Sequence, residues 1–469
     1  MKELIPLIMI PLVTILGSCT GKKQPPAEMM KNTFTGAKGE VKLMILDPGH
    51  FHAALVQKTM QPQIDTNVFI FAPGGPDVQD HLTLIAGYNN RKEDPTRWNE
   101  ILYSGPDYLE KMLQDKPGNV MIVSGNNAKK TEYIKKAVEA GINVLADKPM
   151  VISPENFPLL EESFALADKN RVLLYDIMTE RCEITNIIQR ELAGIRGIFG
   201  ELQPGSLEEP AITKESVHHF FKLVSGNPVK RPAWFFDVEQ QGEGIVDVTT
   251  HLVDLIQWAA FPEMVVEKAD IEMVSARHWT TDLTPAMFKR VTTLDSYPVY
   301  LKNYLNGDIL KVFSNGEMIY RIKGKYAKVS VIWNFEAPEG TGDTHYSIMR
   351  GSKCNLIIRQ NKDQGYKPVL YVEMTDKKNP AAFEDSLKKA IDQSIAPHYP
   401  GITVKNENKN VWSVEIPDQY KIGHEAHFGQ VAEKFLHYLV DGKLPAWEVP
   451  NMITKYYTTT EALKLARKK

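Results

Sequence analysis

Cysteine is scarce in this 469-residue chain: Cys19, Cys182 and Cys354 are the only three. That excludes a small disulfide-built scaffold, and Cys182 and Cys354, far apart in sequence, are expected as two buried free thiols. Charge of one sign is also lacking, with 55 basic residues against 58 acidic and no long basic run. A nucleic-acid partner needs a clustered positive field, so none is expected. The apolar run from Leu4 to Leu16 falls short of the roughly 20 residues that a membrane-spanning helix requires. Two histidine pairs, His50/His52 and His424/His427, lack a sustained set of further ligands, so no metal is expected. Finally, the chain lacks a GxGxxG fingerprint. After its first apolar strand it offers only Gly49, so the phosphate turn of a dinucleotide domain is degenerate.

What is present begins with a leader. Lys2 precedes the apolar run, which ends Leu16-Gly17-Ser18-Cys19 and resembles the lipobox of bacterial lipoproteins. The resemblance implies a signal peptide over residues 1–18, with Cys19 as the lipidated first residue of the mature chain. Residues 19–40, rich in Lys, Gly, Pro and small polar types, read as a flexible tether. The expected location is the bacterial envelope, lipid-anchored and facing the periplasm.

The folded part starts at Val41. VKLMIL is a buried-strand pattern that breaks at Asp47-Pro48-Gly49-His50-Phe51-His52, and a helix is expected from Ala53 to Met60. A second strand covers Val68–Ala72, and His81 to Lys116 reads as an insert with helices. Then comes Asn119–Met150: an apolar strand (Val120–Val123), the polar loop Ser124-Gly125-Asn126-Asn127, a helix stopping at Gly141, and a second strand that delivers Asp147-Lys148-Pro149. This is a βαβ unit, and such units build parallel sheets whose strand ends hold ligands. Ser153 and Pro154 read as a helix start, the helix running to about Asp168, and Val172–Ile177 as a last strand of about six. After Gly197 strand-like runs replace the alternation: Lys268–Ser275, Tyr297–Leu305, Lys325–Glu336, Lys353–Gln360 and Val369–Thr375. Asn306-Gly307 and Asn315-Gly316 act as turn signals between several of them. The fold class is α/β, a Rossmann-like domain (41–177) followed by an α+β domain (178–469) with a large, mostly antiparallel open sheet.

A second motif is Gly242-Glu243-Gly244-Ile245-Val246-Asp247-Val248-Thr249-Thr250-His251. With helical spacing, Asp247 and His251 lie at i and i+4, about 5–6 Å apart at Cβ. A carboxylate there can orient an imidazole as a general base; equally, Asp247 can cap the helix while His251 fills the core. Asp254 reads as a structural partner within that helix. His50 and His52 can either contact a ribose or substrate, or hydrogen-bond their own turn.

The Asp147-Lys148-Pro149 and Asp247…His251 motifs together resemble the Gfo/Idh/MocA family of glucose–fructose oxidoreductases and inositol dehydrogenases. Its strand-end motif is usually Glu-Lys-Pro and its helix motif Gly-Gly-Gly…Asp-x-x-x-His. The resemblance implies an NAD(P)-dependent oxidoreductase acting on a hydroxyl of a sugar, polyol or glycoside. His251 would take the hydroxyl proton, Asp247 would hold His251 or the neighbouring hydroxyl, and Lys148 would stabilise the alkoxide. NAD or NADP, tightly bound, would contact Pro48, Gly49, His50, Phe51, His52, Ser124, Gly125, Asn126, Asn127, Asp147 and Lys148. Homo-oligomerisation through the open sheet is also implied. Two other readings stay open: a redox-assisted glycosidase or lyase with bound NAD, and a sugar-binding lipoprotein on a decayed cofactor site.

Overall fold

The computed structural model describes residues 33–224, 227–228 and 230–468; Cys19 and the leader lie outside them. Six strands form the first sheet: β1 (Leu43–Leu46), β2 (Asn67–Ala72), β3 (Asn99–Ser104), β4 (Val120–Val123), β5 (Asn143–Asp147) and β6 (Leu174–Ile177). Their order is β3-β2-β1-β4-β5-β6, and every pairing is parallel. β1, β4 and β5 are buried at every residue, which is why they read as unbroken apolar runs rather than alternating ones. The order reverses between β1 and β4, so their carboxyl ends open the crevice where such sheets take ligands.

Helices α1 (His52–Leu55), α2 (Pro76–Asn90), α3 (Tyr108–Asp115), α4 (Lys130–Glu139) and α5 (Phe157–Asn170) connect these strands. Three expectations need correction. α1 is one turn long rather than reaching Met60, and the Gln57 carbonyl that would extend it accepts from the Trp98 indole at 2.6 Å. The insert contains strand β3, whose residues are mostly exposed; an edge strand without a buried face gives no apolar pattern. α5 starts at Phe157, because the Ser153 hydroxyl accepts from Asn156 N in a turn ahead of the helix and Pro158 sits in its first turn.

The second sheet has ten strands: β7 (Ile212–Phe221), β10 (Ile271–Leu283), β11 (Leu305–Asn306), β12 (Ile309–Ile322), β13 (Lys325–Glu336), β14 (Thr344–Arg350), β15 (Cys354–Gln360), β16 (Val369–Met374), β17 (Thr403–Asn408) and β18 (Val411–Glu415). β8 (Leu223–Val224) and β9 (Asn227–Pro228) form a separate hairpin. The order is β10-β12-β13-β7-β14-β15-β16-β18-β17, with β11 on β12, and only β7–β13 is parallel. Tyr297–Leu305 is not a strand: Pro298 opens a 3-10 helix over Val299–Tyr304 that buries only Leu301. Nor is Asn315-Gly316 a turn. It lies inside β12, where Asn315 bonds Trp333 N at 2.7 Å and a Cβ at Gly316 would stand 2.5 Å from Ile245 Cβ. The glycine is there for close approach, since nothing larger admits the Gly242–Gly244 turn against the sheet.

Six further helices complete the fold: α6 (Ile184–Gly194), α7 (Thr249–Ala260), α8 (Pro285–Thr292), α9 (Pro380–Ala390), α10 (His424–Asp441) and α11 (Glu448–Ala466). α6 and α7 place their apolar faces in the core of the large sheet. α10 instead delivers Phe428, Val431, Phe435 and Leu439 to the core of the parallel sheet, so the tail helps to wall the first sheet's crevice. Among the described residues, no helix is long and apolar enough to cross a membrane.

Candidate functional site

The end of β5 sends Asp147 and Lys148 to different partners. Lys148 Nζ donates to Asp247 Oδ1 at 2.7 Å, and the pair is nearly buried. Burial alone would lower the Lys148 ammonium, but Asp247 and Asp147 raise it above its ordinary value, so it is a fixed cation. Asp247 Oδ2 accepts from Gln241 Nε2 at 3.1 Å. The carboxylate is therefore engaged by Lys148 and Gln241 rather than by His251. It lies in the turn before α7, whose first helical residue is Thr249, and no side chain caps that helix.

Asp147 turns toward the β1 crevice. His52 Nδ1 lies 3.0 Å from Asp147 Oδ2, Ser124 Oγ donates to the same oxygen at 2.8 Å, and Lys130 Nζ donates to the Asp147 carbonyl at 3.0 Å. Burial alone would lift the Asp147 carboxyl; His52, Lys130 and His50 hold it well below the usual range. Burial and the neighbouring His52 push His50 well below its ordinary value, leaving a neutral ring. Burial lowers Lys130 to about 8.

These residues can be weighed against a dinucleotide. A Cβ at Gly125 would stand 2.4 Å from the Asp47 carbonyl, so the β1 and β4 loops touch as a cofactor crevice requires. Ser124, Asp147 and Lys148 converge beside them, and this nicotinamide end fits. The diphosphate turn is built differently. Gly49 N and His50 N both donate to the Ser124 carbonyl, at 3.2 and 3.4 Å. A Cβ at Gly49 would meet Asp77 Oδ2 at 3.1 Å and Trp234 Cζ2 at 3.4 Å. Asp77, the acidic residue beyond β2, accepts from Trp234 Nε1 at 2.9 Å. The β4 loop is tied down as well, with Asn126 Nδ2 on Gln240 Oε1 at 2.6 Å and Asn127 Nδ2 on the Gln241 carbonyl at 2.8 Å. Pro48 is buried and Phe51 stands 47% exposed at the rim.

His251 faces a cavity of about 1120 Å³ that Lys148 and Asp247 do not line. Its walls include Glu180, Glu183, His218, Asp343, His345 and His424. His251 Nδ1 and His345 Nε2 are buried without a hydrogen-bond partner. Burial and the Lys148 charge push His251 well below its ordinary value, and burial takes His345 to about 3, so these two rings enter neutral. Glu180 behaves in the opposite sense: burial and the charge of Glu183 raise it to about 7.

Sequence reasoning missed Glu180, Asp77, Lys130 and His424 as members of this region. Glu180 sits in a 3-10 turn (Thr179–Cys182) that reads as a helix approach, and the others owe their place to topology. Asp254 is structural but not within its own helix. Arg181 grips both of its oxygens at 2.7 Å, Lys455 bonds it at 2.8 Å, and Arg181 also holds Glu448 at 2.9 Å. Cys182 and Cys354 are free thiols.

Residues 188–467 match the family described as "Putative oxidoreductase C terminal domain". Residues 85–175 match "Oxidoreductase family, NAD-binding Rossmann fold", a match that starts beyond the degenerate turn. A crystal structure of a "putative oxidoreductase" from Parabacteroides merdae is 58% identical over 93% of this chain and 99% of its own, with a TM-score of 0.91. At the level of fold alone, levoglucosan dehydrogenase in complex with NADH aligns at 11% identity over 91% of this chain and 97% of its own, with a TM-score of 0.58. GenD2 from gentamicin A biosynthesis, in complex with NAD, aligns at 14% identity over 93% and 96%, with a TM-score of 0.56. No curated protein sequence matches the chain. The chain therefore belongs to the oxidoreductase family marked by that C-terminal domain, an enzyme whose residues 85–175 match an NAD-binding Rossmann fold.

Proposed function

We propose that the protein oxidises or reduces a carbinol of a sugar, polyol or glycoside, with Lys148, Asp247 and His251 around the reacting carbon. The observation that carries this reading is the 2.7 Å Lys148–Asp247 pair, which joins two motifs 99 residues apart and whose cation acts on His251, a half-buried imidazole with an unpartnered Nδ1. Oxidation removes a hydride from the carbinol carbon and a proton from its oxygen, leaving a carbonyl. Ser124 and Lys148 would hold the nicotinamide of a bound dinucleotide, which would supply the hydride acceptor. The Lys148 cation stabilises negative charge growing on the oxygen. Asp247 fixes that cation and so acts as its positioning residue. His251, neutral and unpartnered at Nδ1, accepts the proton. The cavity beyond it, walled by imidazoles and carboxyl groups, suits a polyhydroxylated ligand. Solved neighbours that hold sugars or their relatives, levoglucosan dehydrogenase with L-sorbose among them, support the substrate class by fold alone.

A second reading, redox-assisted cleavage of a glycosidic bond, is favoured by Glu180, a carboxyl in that cavity raised by burial and Glu183 to about 7. For either reaction the chain would work in the bacterial envelope, anchored through a lipid on Cys19.

The test is turnover of a panel of sugars, polyols and glycosides with NAD(P). Lys148→Ala and His251→Ala should each lower kcat/KM by at least a hundredfold, about 2.7 kcal/mol, with the fold intact. Activity within about tenfold of the parent removes the residue from the mechanism, and release of an aglycone without net cofactor reduction selects the second reading.

A further inference from the structure

In sequence, His50 and His52 lack the further ligand that would make them a metal site; the fold supplies it. β5 lies one strand beyond β4 from β1, so its last residue, Asp147, reaches the turn that carries both imidazoles. His52 Nδ1 lies 3.0 Å and His50 Nδ1 4.0 Å from Asp147 Oδ2. One ligand atom from each of the three residues falls within 4.8 Å of the others. The two rings stand edge to face with centroids 4.0 Å apart, and the His52 backbone N–H donates to His50 Nδ1 at 3.4 Å, a long bond that an ion would replace.

These spacings suit an ion. With nitrogen and oxygen donors at about 2.0–2.2 Å around a tetrahedral centre, neighbouring donors stand about 3.3–3.5 Å apart. The observed 3.0 and 4.0 Å between each imidazole and the carboxylate bracket that range, and all three ligand atoms lie within 4.8 Å of one another, so side-chain adjustment would have to draw the set together. Ser124 Oγ, donating to Asp147 Oδ2 at 2.8 Å, orients the carboxylate as an outer partner does for a metal ligand. Two cations face the site. Lys148 is paired with Asp247, and Lys130 is directed to the Asp147 carbonyl. They limit the charge that the site tolerates and favour an anionic oxygen in any open position. His424, with its ring centroid 5.5 Å from that of His52, forms a wall on the α10 side.

We propose that His50, His52 and Asp147 form a binding site for a divalent first-row transition ion, open toward the crevice. Two imidazoles and one carboxylate leave coordination positions free, the donor set of ions that polarise a bound oxygen. The ligand class is a zinc-, manganese- or iron-like cation together with an oxygen of substrate or of a phosphate. The site does not depend on the redox reading, because ion binding is measured on the protein alone.

The full chain, stripped with a chelator, is titrated with Co²⁺ and followed by the visible d–d absorption of the bound ion. The proposal expects one saturable site that Zn²⁺ displaces. His50→Ala, at a partly exposed ring, should weaken it by more than a hundredfold. Ser124→Ala should weaken it by about tenfold, as outer partners do. His52→Gln serves as a second ligand variant, with circular dichroism confirming the fold. Absence of saturable Co²⁺ binding overturns the proposal, as does binding that His50→Ala and His52→Gln leave unchanged.

Discussion

Asp254→Asn tests how far the buried ion network around it stabilises the fold. Asp254 and His251 lie one turn apart on α7. The carboxylate is held there by Arg181 from the 3-10 turn that carries Glu180 and by Lys455 from α11. All three side chains are at most 6% exposed. Asparagine keeps the shape but removes the charge, leaving Arg181 with Glu448 and Lys455 with Asp176. Breaking a buried pair costs about 3–5 kcal/mol; the two remaining carboxylates place this case at the lower end, about 3 kcal/mol. At about 2.1 cal/mol/K per residue, unfolding the ordered chain carries an entropy of about 0.9 kcal/mol/K, so the thermal midpoint should fall by about 3 °C. Burial alone would raise the Asp254 carboxyl, yet Arg181 and Lys455 hold it well below the usual range. Its contribution is therefore complete above the unfolded value of about 3.9 and is lost as pH falls through the lower, folded value. The difference between parent and variant should be flat from pH 5 to 8 and shrink below about pH 4. Calorimetry across that range is the assay. A midpoint change under 1 °C at pH 7, or a difference that grows on acidification, would refute the reasoning.

Three further outcomes can be checked. Glu180→Gln should erase an ionisation near pH 7 from the kcat/KM profile, since the parent carboxyl is raised to about 7 and protonated below it; an unchanged profile removes Glu180 from the chemistry. Trp234→Phe frees Asp77 from the indole, and a hydrogen bond to a charged group contributes about 1.5–3 kcal/mol. The Kd for NAD(P)H should then fall by about tenfold or more, whereas equal or weaker binding means that Asp77 does not compete for the cofactor. Cys19→Ser should release the protein from membranes, and continued membrane fractionation would reject the lipid anchor.

The parallel sheet was legible because its central strands are buried on both faces. Val120–Val123, the helix ending before Gly141 and the strand into Asp147 all stand where the apolar runs place them. Edge strand β3 was not legible, since it buries no face. Asn315-Gly316 shows a different failure: a pair that signals a turn serves tertiary packing against Ile245, which no local window reveals. The motifs point to Lys148, Asp247 and His251, and the structure pairs the first two, but helical spacing misassigned Asp247's partner. Its carboxylate reaches back to the β5 end instead of up its own helix. The Asp77–Trp234 contact and the approach of Asp147 to His50 and His52 depend on strand order, so sequence distance hid both.

As a nicotinamide-dependent oxidoreductase, the chain must hold a dinucleotide despite its altered diphosphate turn. The most direct test is to denature the purified protein and identify any released NAD(H) or NADP(H) by absorbance and mass, then measure binding of each dinucleotide to stripped protein. Close to one equivalent released is expected, or saturable binding of one dinucleotide that Lys148→Ala weakens. No release together with no binding would contradict it.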